Sequence, residues 1–235
     1  MKRMLLAWAV HAFTALGLVA AACIAALVVE GGDVAFTRAF ELMIAATAID
    51  ALDGPLARFA RVHEVLPGFD GRRLDDLIDF LNYTCLPLLL IWRAGILGGG
   101  AQSWWLLAPL VASAYGFSQA DAKTENGYFL GFPSYWNVVA FYLYFLKLGA
   151  WLSLGILVTL AILTFVPLVY FYPTQPGLWN RVACVAAALW GGLLVLILIL
   201  LPELRGPWLL ASLTVPLGYL ICSWWVNWRG FATTR

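Results

Sequence analysis

Charged residues are scarce in this chain, at 11% of the 235 residues, and the formal net charge is only +1. So small a net charge gives no indication of nucleic-acid binding, which depends on a basic surface. Histidine occurs twice and cysteine four times, without a CxxC pair. The cysteines are scattered through apolar runs, which supports neither a disulfide framework nor a zinc site.

Hydrophobic residues make up 63% of the sequence, more than a soluble domain of this length needs for its core. Twelve Trp and nine Tyr are typical of membrane proteins with aromatic belts at both interfaces. The composition predicts an integral membrane protein without a soluble domain. Windows of about 20 apolar residues predict eight spans, near 5–29, 34–57, 73–97, 103–122, 134–150, 151–172, 181–201 and 207–227.

The first apolar run continues to Val29, which is longer than the core of a typical signal peptide, so we expect an uncleaved first span. The boundary between the fifth and sixth spans is marked only by Lys147 and Gly149. If the N-terminus is inside, the predicted cytoplasmic segments hold ten Lys and Arg residues and the outer segments hold four. This bias predicts that both termini are cytoplasmic.

Two acidic pairs flank one short basic loop, at the end of span two and the start of span three. Asp50 and Asp53 share one helical face, and Asp75 and Asp79 share another. Asp76 lies off the second face. Because a short loop makes the two helices antiparallel neighbours, the four carboxylates on these faces can converge at one site near the cytoplasmic surface.

Four ionised carboxylates inside a bilayer repel each other and cost roughly 2.5–3.5 kcal/mol each. Divalent cations between them remove that penalty, and oxygen ligands without His or Cys favour Mg²⁺ or Mn²⁺. Such ions usually bind phosphate oxygens as well. The residues therefore predict two metal ions that clamp a diphosphate. A purely structural alternative is that the acids sit at interfacial helix ends, where Asp75 and Asp76 complement the helix dipole.

Gly54 and Arg58 follow the first acidic pair. Gly54 has no side chain, so a phosphate or base can approach the backbone there. Arg58, one turn further, can reach back to an anionic group. Neither residue is diagnostic alone, but both stand at fixed offsets from the aspartates.

The full pattern is Asp50-x2-Asp53-Gly54-x2-Ala57-Arg58-x12-Gly71-x3-Asp75-x3-Asp79. It resembles the signature of the CDP-alcohol phosphatidyltransferase family at every position. The 12-residue gap before Gly71 is longer than in most members. This gap, the segment YGFSQADAKTENGYFLGFPSYWNVVAFYLY (115–144) and VHAFTALG (10–17) resemble the variant of the family that uses choline as acceptor. The last two spans contribute least to the resemblance.

The resemblance implies an all-α, polytopic membrane bundle in one domain, 1–235. A six-helix core covers roughly 1–175, and two extra C-terminal spans cover roughly 176–228. It further implies a bacterial inner-membrane homodimer with a cytoplasmic site that transfers the phosphatidyl group of CDP-diacylglycerol to choline and releases CMP. Its functional residues comprise metal ligands for Mn²⁺ or Mg²⁺ (Asp50, Asp53, Asp75, Asp79), a catalytic base (Asp79) and CDP-diacylglycerol contacts (His11, Thr14, Gly54, Ala57, Arg58, Gly71).

Choline is a fixed cation, so we expect an aromatic pocket with a nearby acid. The segment between spans four and five supplies most of the candidates, and Tyr83 lies one turn beyond Asp79. The alternative for each aromatic residue is a position in the interfacial belt. The candidate choline residues are Tyr83, Asp121, Glu125, Tyr128, Tyr135, Trp136 and Asn137.

Three other functions compete with this interpretation. The same chemistry can use another acceptor, such as serine or glycerol-3-phosphate. An intramembrane prenyltransferase also uses a DDxxD motif, which Asp75–Asp79 provides, but needs a second motif that the sequence lacks. A transporter can use intramembrane carboxylates, but it usually has repeated halves, and here the acids are confined to one hairpin.

Overall fold

The computed structural model describes residues 1–119, 128–172, 178–199 and 205–228. Over these residues the chain is an all-α membrane bundle with one short two-stranded antiparallel β-sheet. Helical segments lie at the positions of all eight predicted spans. Three of them are long and apolar enough to cross a membrane: Lys2–Glu30, Asn180–Ile199 and Gly206–Trp225.

The N-terminal half contains the two longest described helices, which form a helical hairpin. A third span follows, and it is divided into several helical segments. Its elements are α1 (Lys2–Glu30), α2 (Asp33–Phe59), α3 (Val62–Val65), α4 (Gly71–Asp79), a π-helical stretch (Phe80–Cys85) and α5 (Leu86–Arg93). Gly31 and Gly32 join α1 to α2 with φ values of 76° and 89°. Glycine adopts such values without the steric penalty of a Cβ, so the chain reverses within two residues.

The remaining elements continue around the same core. They are a 3₁₀ helix (Gly100–Leu106), α6 (Leu107–Ser118), β1 (Tyr128–Leu130), α7 (Trp136–Leu146), α8 (Ala150–Phe165), β2 (Val169–Phe171), α9 (Leu178–Ile199), α10 (Arg205–Ser212) and α11 (Thr214–Trp228). The main core joins residues of nearly all the helices, including Ile24, Phe40, Leu90, Leu157 and Ile197.

The predicted boundary between the fifth and sixth spans is confirmed. Helix α7 ends at Leu146, and Lys147 adopts a left-handed conformation with φ 50°. Gly149 then precedes the first residue of α8. Lys147 and Gly149 therefore mark the boundary between α7 and α8.

The prediction of one helical span over 151–172 is wrong beyond Phe165. Val166 adopts an extended conformation with φ −85° and ψ 127°. Proline disfavours a helical conformation in the preceding residue, and Pro167 follows directly. The chain then forms β2, which pairs antiparallel with β1 so that Phe129 faces Tyr170.

Helix α11 binds the edge of β2 that is not paired with β1. Tyr219 donates its hydroxyl to the carbonyl of Phe171 at 2.8 Å. The amide of Phe171 donates to Ser223 Oγ at 3.4 Å. Asn227 accepts from the amide of Val169 at 2.9 Å and donates to its carbonyl at 2.8 Å. Side chains at four-residue spacing thus take the place of a third strand.

Candidate functional site

The carboxylates of α2 and α4 meet inside the helix bundle. One oxygen from each of Asp50, Asp75 and Asp79 lies within 4.8 Å of the others. Asp53 is buried, with 7% of its surface exposed, and it lines the same small cavity. The structure therefore brings together all four aspartates that the helical spacing placed on two facing stripes. Asp76 does not line this cavity.

The long gap between the two acidic pairs folds into a defined connection. Val62 of α3 is buried against Ala7 and Val10 of α1. At the far end of the connection, Asp70 Oδ1 accepts a hydrogen bond from the amide of Arg73 at 3.0 Å and caps α4. Both contacts fix the direction in which α4 enters the bundle, and that direction turns Asp75 and Asp79 toward α2.

Helix α1 closes the third side of the cavity with Thr14 and Gly17. A Cβ at Gly17 would lie 2.5 Å from Ile78 Cγ2, so glycine is what allows α1 and α4 to approach. Asn82 donates to the carbonyls of Gly17 and Ile78, both at 3.1 Å. Its Oδ1 is buried and has no partner among the described residues.

The π-helical stretch lies directly after Asp79 and places Tyr83 against the cluster. Tyr83 is buried and donates its hydroxyl to Asp50 Oδ2 at 2.8 Å. Single π-helical turns inside α-helices occur frequently at functional sites. Here the π-helical stretch follows the acidic segment of span three and contains Tyr83.

The signature residues after Asp53 lie as their spacing suggested. Arg58 folds back along α2, and its Nη1 lies 3.4 Å from the position that a Cβ on Gly54 would occupy. Arg58 itself is exposed. Ala57 packs beside the small cluster of Ala7 and Val62. The guanidinium group of Arg58 therefore lies beside Gly54, the one residue of α2 without a side chain.

His11 packs directly on the N-terminus of α4. A Cβ at Gly71 would lie 2.4 Å from His11 Cε1, a distance that real contacts do not reach. The rings of Phe69 and Trp8 lie 4.4 Å and 6.0 Å from the His11 ring, measured between centroids. His11 is 7% exposed, and its Nε2 has no hydrogen-bond partner within the described part of the chain.

Two of the predicted acceptor residues, Tyr135 and Asn137, lie near Tyr83 or Thr47. Tyr135 lies beside Tyr83, with 6.4 Å between ring centroids. Asn137 donates to Thr47 Oγ1 at 3.3 Å, and its buried Oδ1 has no partner in the described ranges. Asp121 and Glu125 lie outside the described residues.

Two further predicted acceptor residues contact the protein framework. Trp136 is fully buried, packs on Phe132 and donates to Ser113 Oγ at 2.6 Å. Tyr128 lies in β1, with its ring 6.0 Å from that of Phe171 on the paired strand β2.

Sequence reasoning missed Tyr219 of α11. Its ring lies 6.1 Å from that of Tyr135 and 6.3 Å from that of Tyr170. The available signal was the polar spacing of Tyr219, Ser223 and Asn227, which places one stripe on a span that is otherwise apolar.

The donor set at the cavity fits a hard divalent cation. It consists of carboxylate oxygens, with no sulfur or imidazole ligand in the cluster. Three such oxygens within 4.8 Å of one another concentrate negative charge in a bundle of low polarity. Mg²⁺ and Mn²⁺ prefer such oxygen ligands.

The fold and the site define an all-α membrane protein whose carboxylates converge within one helix hairpin. No protein-family model matches the sequence. The chain is 35% identical to the phosphatidylcholine synthase of Legionella pneumophila over 229 residues, which cover 93% of this chain and 88% of that protein. It is 35% identical to the phosphatidylcholine synthase of Pseudomonas aeruginosa over 210 residues, covering 88% and 87%.

A match to the phosphatidylcholine synthase of Legionella bozemanae is 40% identical over 135 residues and covers 57% of this chain and 62% of that protein. The two longer matches extend over nearly the full length of both partners. The chain therefore belongs to the phosphatidylcholine synthase family of enzymes.

Proposed function

We propose that this enzyme transfers the phosphatidyl group of CDP-diacylglycerol to choline and produces phosphatidylcholine and CMP. The observation that carries the proposal is the convergence of Asp50, Asp75 and Asp79 in a member of the phosphatidylcholine synthase family. A carboxylate cluster inside a membrane bundle suits a reaction in which a lipid-linked diphosphate must be bound and cleaved.

In this proposal Asp50, Asp53, Asp75 and Asp79 hold two divalent ions, Mn²⁺ or Mg²⁺. When bound, these ions supply charge neutralisation for the diphosphate and for the departing CMP. Asp79 accepts the proton of the choline hydroxyl. The choline oxygen forms a bond to the β-phosphorus, and the bond from that phosphorus to the oxygen of CMP breaks.

The nucleotide end of CDP-diacylglycerol lies against α1 and against the faces of α2 and α4 that carry the signature glycines. Gly54 leaves the backbone of α2 accessible, Gly71 makes room for the His11 ring, and Arg58 holds an anionic oxygen of the diphosphate. The buried Nε2 of His11 offers the substrate one hydrogen-bonding group that no described residue uses. Thr14 and Ala57 complete this side of the site.

The acceptor end lies toward the start of α7. Tyr83 and Tyr135 present aromatic rings to the quaternary ammonium group, and the unpaired Oδ1 of Asn137 turns the negative end of an amide dipole toward it. Tyr128, Trp136, Asp121 and Glu125 remain part of the proposed acceptor region. Serine or glycerol-3-phosphate in place of choline would keep the metal site and change only this end.

The proposed setting is the inner membrane of a bacterium, with both termini and the site on the cytoplasmic side. This orientation follows from the excess of Lys and Arg in the segments assigned to that side. Membrane lipids surround the helices, and we propose that the enzyme acts as a homodimer.

The experiment that tests the function is a labelled-acceptor assay on the purified full-length protein. CDP-diacylglycerol and Mn²⁺ are supplied with labelled choline, serine, ethanolamine or glycerol-3-phosphate, and label in lipid and released CMP are measured. We expect incorporation of choline alone, with equal release of CMP and complete dependence on the divalent ion.

Two isosteric variants make the assay specific to the cluster. Asp79→Asn removes the proposed base and should lower the rate by roughly a hundredfold or more. Asp76→Asn is the matched control, because Asp76 lies on the same helix but does not line the cavity. Incorporation of a different acceptor would overturn the choline assignment, and absence of metal-dependent CMP release would overturn the reaction itself.

A further inference from the structure

The last span carries a tyrosine that connects it to the proposed acceptor region. Tyr219 of α11 lies beside Tyr135, with 6.1 Å between ring centroids and 61° between ring planes. Tyr135 in turn lies 6.4 Å from Tyr83 at 66°. Tyr83 donates to Asp50 of the carboxylate cluster. An unbroken series of aromatic contacts therefore runs from the aspartates to a helix outside the six-helix core.

The hydroxyl of Tyr219 is already used by the protein. It donates to the carbonyl of Phe171 in β2 at 2.8 Å. On its other side the ring is nearly parallel to that of Tyr170, at 22° and 6.3 Å. A phenol held at its oxygen and packed against a second ring has a fixed orientation, so Tyr219 contributes a π-face to its surroundings rather than a free donor.

An aromatic wall of this kind suits a cation without hydrogen-bond donors at its charged end. Trimethylammonium groups are held by ring faces, because the electron density above an aromatic ring attracts positive charge. The buried Oδ1 of Asn137, two residues beyond Tyr135, has no partner among the described residues and adds a second negative pole. The Nδ2 of the same side chain donates to Thr47 Oγ1 at 3.3 Å.

We propose that Tyr219 is a specificity-determining residue that forms one wall of the choline pocket, so that the C-terminal spans complete the acceptor site. The proposal rests on the proposed function. Ser223 and Asn227 are positioning residues in this proposal, because their hydrogen bonds to β2 fix α11 against the two-stranded sheet.

The test compares choline with its uncharged isostere 3,3-dimethyl-1-butanol as acceptors of the full-length enzyme. The two alcohols share shape and hydroxyl group and differ in the positive charge. Tyr219→Leu keeps apolar volume but removes the ring, and it should lower the preference for choline roughly tenfold, within the two- to thirtyfold range of one cation–π contact. Tyr219→Phe keeps the ring and should leave the preference within about twofold of the unmodified enzyme.

The matched control is Tyr142→Leu. Tyr142 also ties the C-terminal spans to the core, through Ser212 at 2.8 Å and Trp190 at 3.0 Å, but it lies outside the aromatic series. We expect lower thermal stability and an unchanged preference for choline. Measured KM values for CDP-diacylglycerol should also stay unchanged in the Tyr219 variants.

An unchanged preference in Tyr219→Leu would overturn the proposal and leave the proposed function intact. Equal losses of preference in Tyr142→Leu and Tyr219→Leu would reduce Tyr219 to a structural role and overturn it as well. If the unmodified enzyme transferred no choline at all, the proposed function would fail first, and the role of Tyr219 would fail with it.

Discussion

The hairpin of α2 and α4 and the last helix α11 both carry polar residues at helical spacing, yet the two stripes serve different purposes. On α2 and α4 the side chains of Asp50, Asp75 and Asp79 converge on one another. On α11 the side chains of Tyr219 and Asn227 bind backbone groups of β2. Spacing therefore identifies which residues share a face, and only the partner of that face decides between chemistry and architecture.

The two regions also differ in how completely their polar groups are satisfied. Asn82 Oδ1, which belongs to a residue that lines the cavity, is buried without a partner among the described residues, as are His11 Nε2 beside Gly71 and Asn137 Oδ1 near Thr47. Asn227, by contrast, makes three hydrogen bonds, two with Val169 and one with the carbonyl of Ser223. A buried unsatisfied group costs free energy, so the unpaired Asn82 Oδ1 at the cavity fits a site that binds a ligand.

The largest effect that separates the regions is expected for Asp50→Asn. Asparagine keeps the size of the side chain and still accepts the hydrogen bond of Tyr83, so the fold should survive. Loss of the carboxylate removes several kcal/mol of charge stabilisation, and the rate should fall about a hundredfold or more. Choline incorporation and thermal stability are measured on the same preparation. Half of the original activity would contradict the role of the cluster.

Gly71→Ala should have the next largest effect. The new Cβ would lie 2.4 Å from His11 Cε1, so either the imidazole or the start of α4 must move. Overpacking of this kind costs about 1–3 kcal/mol. We expect both lower thermal stability and a rate reduced roughly a hundredfold, because α4 also carries Asp75 and Asp79.

A simultaneous His11→Ala substitution supplies the control for this clash. It makes room for the new methyl group and should restore the thermal stability of Gly71→Ala without restoring its activity. Unchanged stability of Gly71→Ala itself would show that α4 and α1 are less closely packed than the structure indicates.

Gly54→Ala probes the same signature without a clash. Among the described residues, Arg58 Nη1 is the one side-chain atom near the added Cβ, at 3.4 Å, and that atom is the end of a flexible side chain. Thermal stability should therefore stay the same, whereas the rate should fall about tenfold because the methyl group occupies space that the substrate uses. Full activity in Gly54→Ala would mean that the substrate does not approach α2 there.

The difference between the regions explains which parts of the molecule were predictable. The positions of the four aspartates follow from the 3.6-residue period and from one short connection, and both are local properties of the sequence. The pairing of β1 with β2 joins residues 128–130 to 169–171 across two intervening helices. Hydropathy assigns β2 to the sixth predicted span, 151–172, and only Pro167 indicates that the helix ends before it.

The contact between Tyr219 and Tyr135 was out of reach for a related reason. A stripe on a helix predicts a buried face, but it does not identify the element that buries it. Tyr219 comes near Tyr135 because Asn227 and Ser223 bind β2, and β2 exists only because α8 ends early. Pro167 signals the end of α8 locally, but the pairing of β2 with β1 and its contact with α11 depend on tertiary structure that no local pattern encodes.

The smallest expected effect on activity, and the one that sharpens the comparison most, is that of Asn227→Leu. Leucine removes the hydrogen bonds to both backbone groups of Val169 and to the carbonyl of Ser223. Two backbone groups of β2 then lose their partners, which should lower the free energy of unfolding by about 1–3 kcal/mol. The carboxylate cluster is untouched, so the rate with saturating choline should fall only a few-fold, roughly in line with a pocket wall that is less well held.

Stability and saturating rate therefore separate the two regions in opposite directions. Asp50→Asn should abolish turnover in a stable protein, and Asn227→Leu should preserve turnover in a less stable one. Asn227→Asp refines the test, because an aspartate still accepts from the amide of Val169 but cannot donate to its carbonyl. A loss of stability at least as large as that of Asn227→Leu is expected, because the carboxylate would face the carbonyl oxygens of Val169 and Ser223. A large loss of saturating rate in Asn227→Leu would contradict this separation, because it would show that the contact of α11 with β2 also positions the reacting groups.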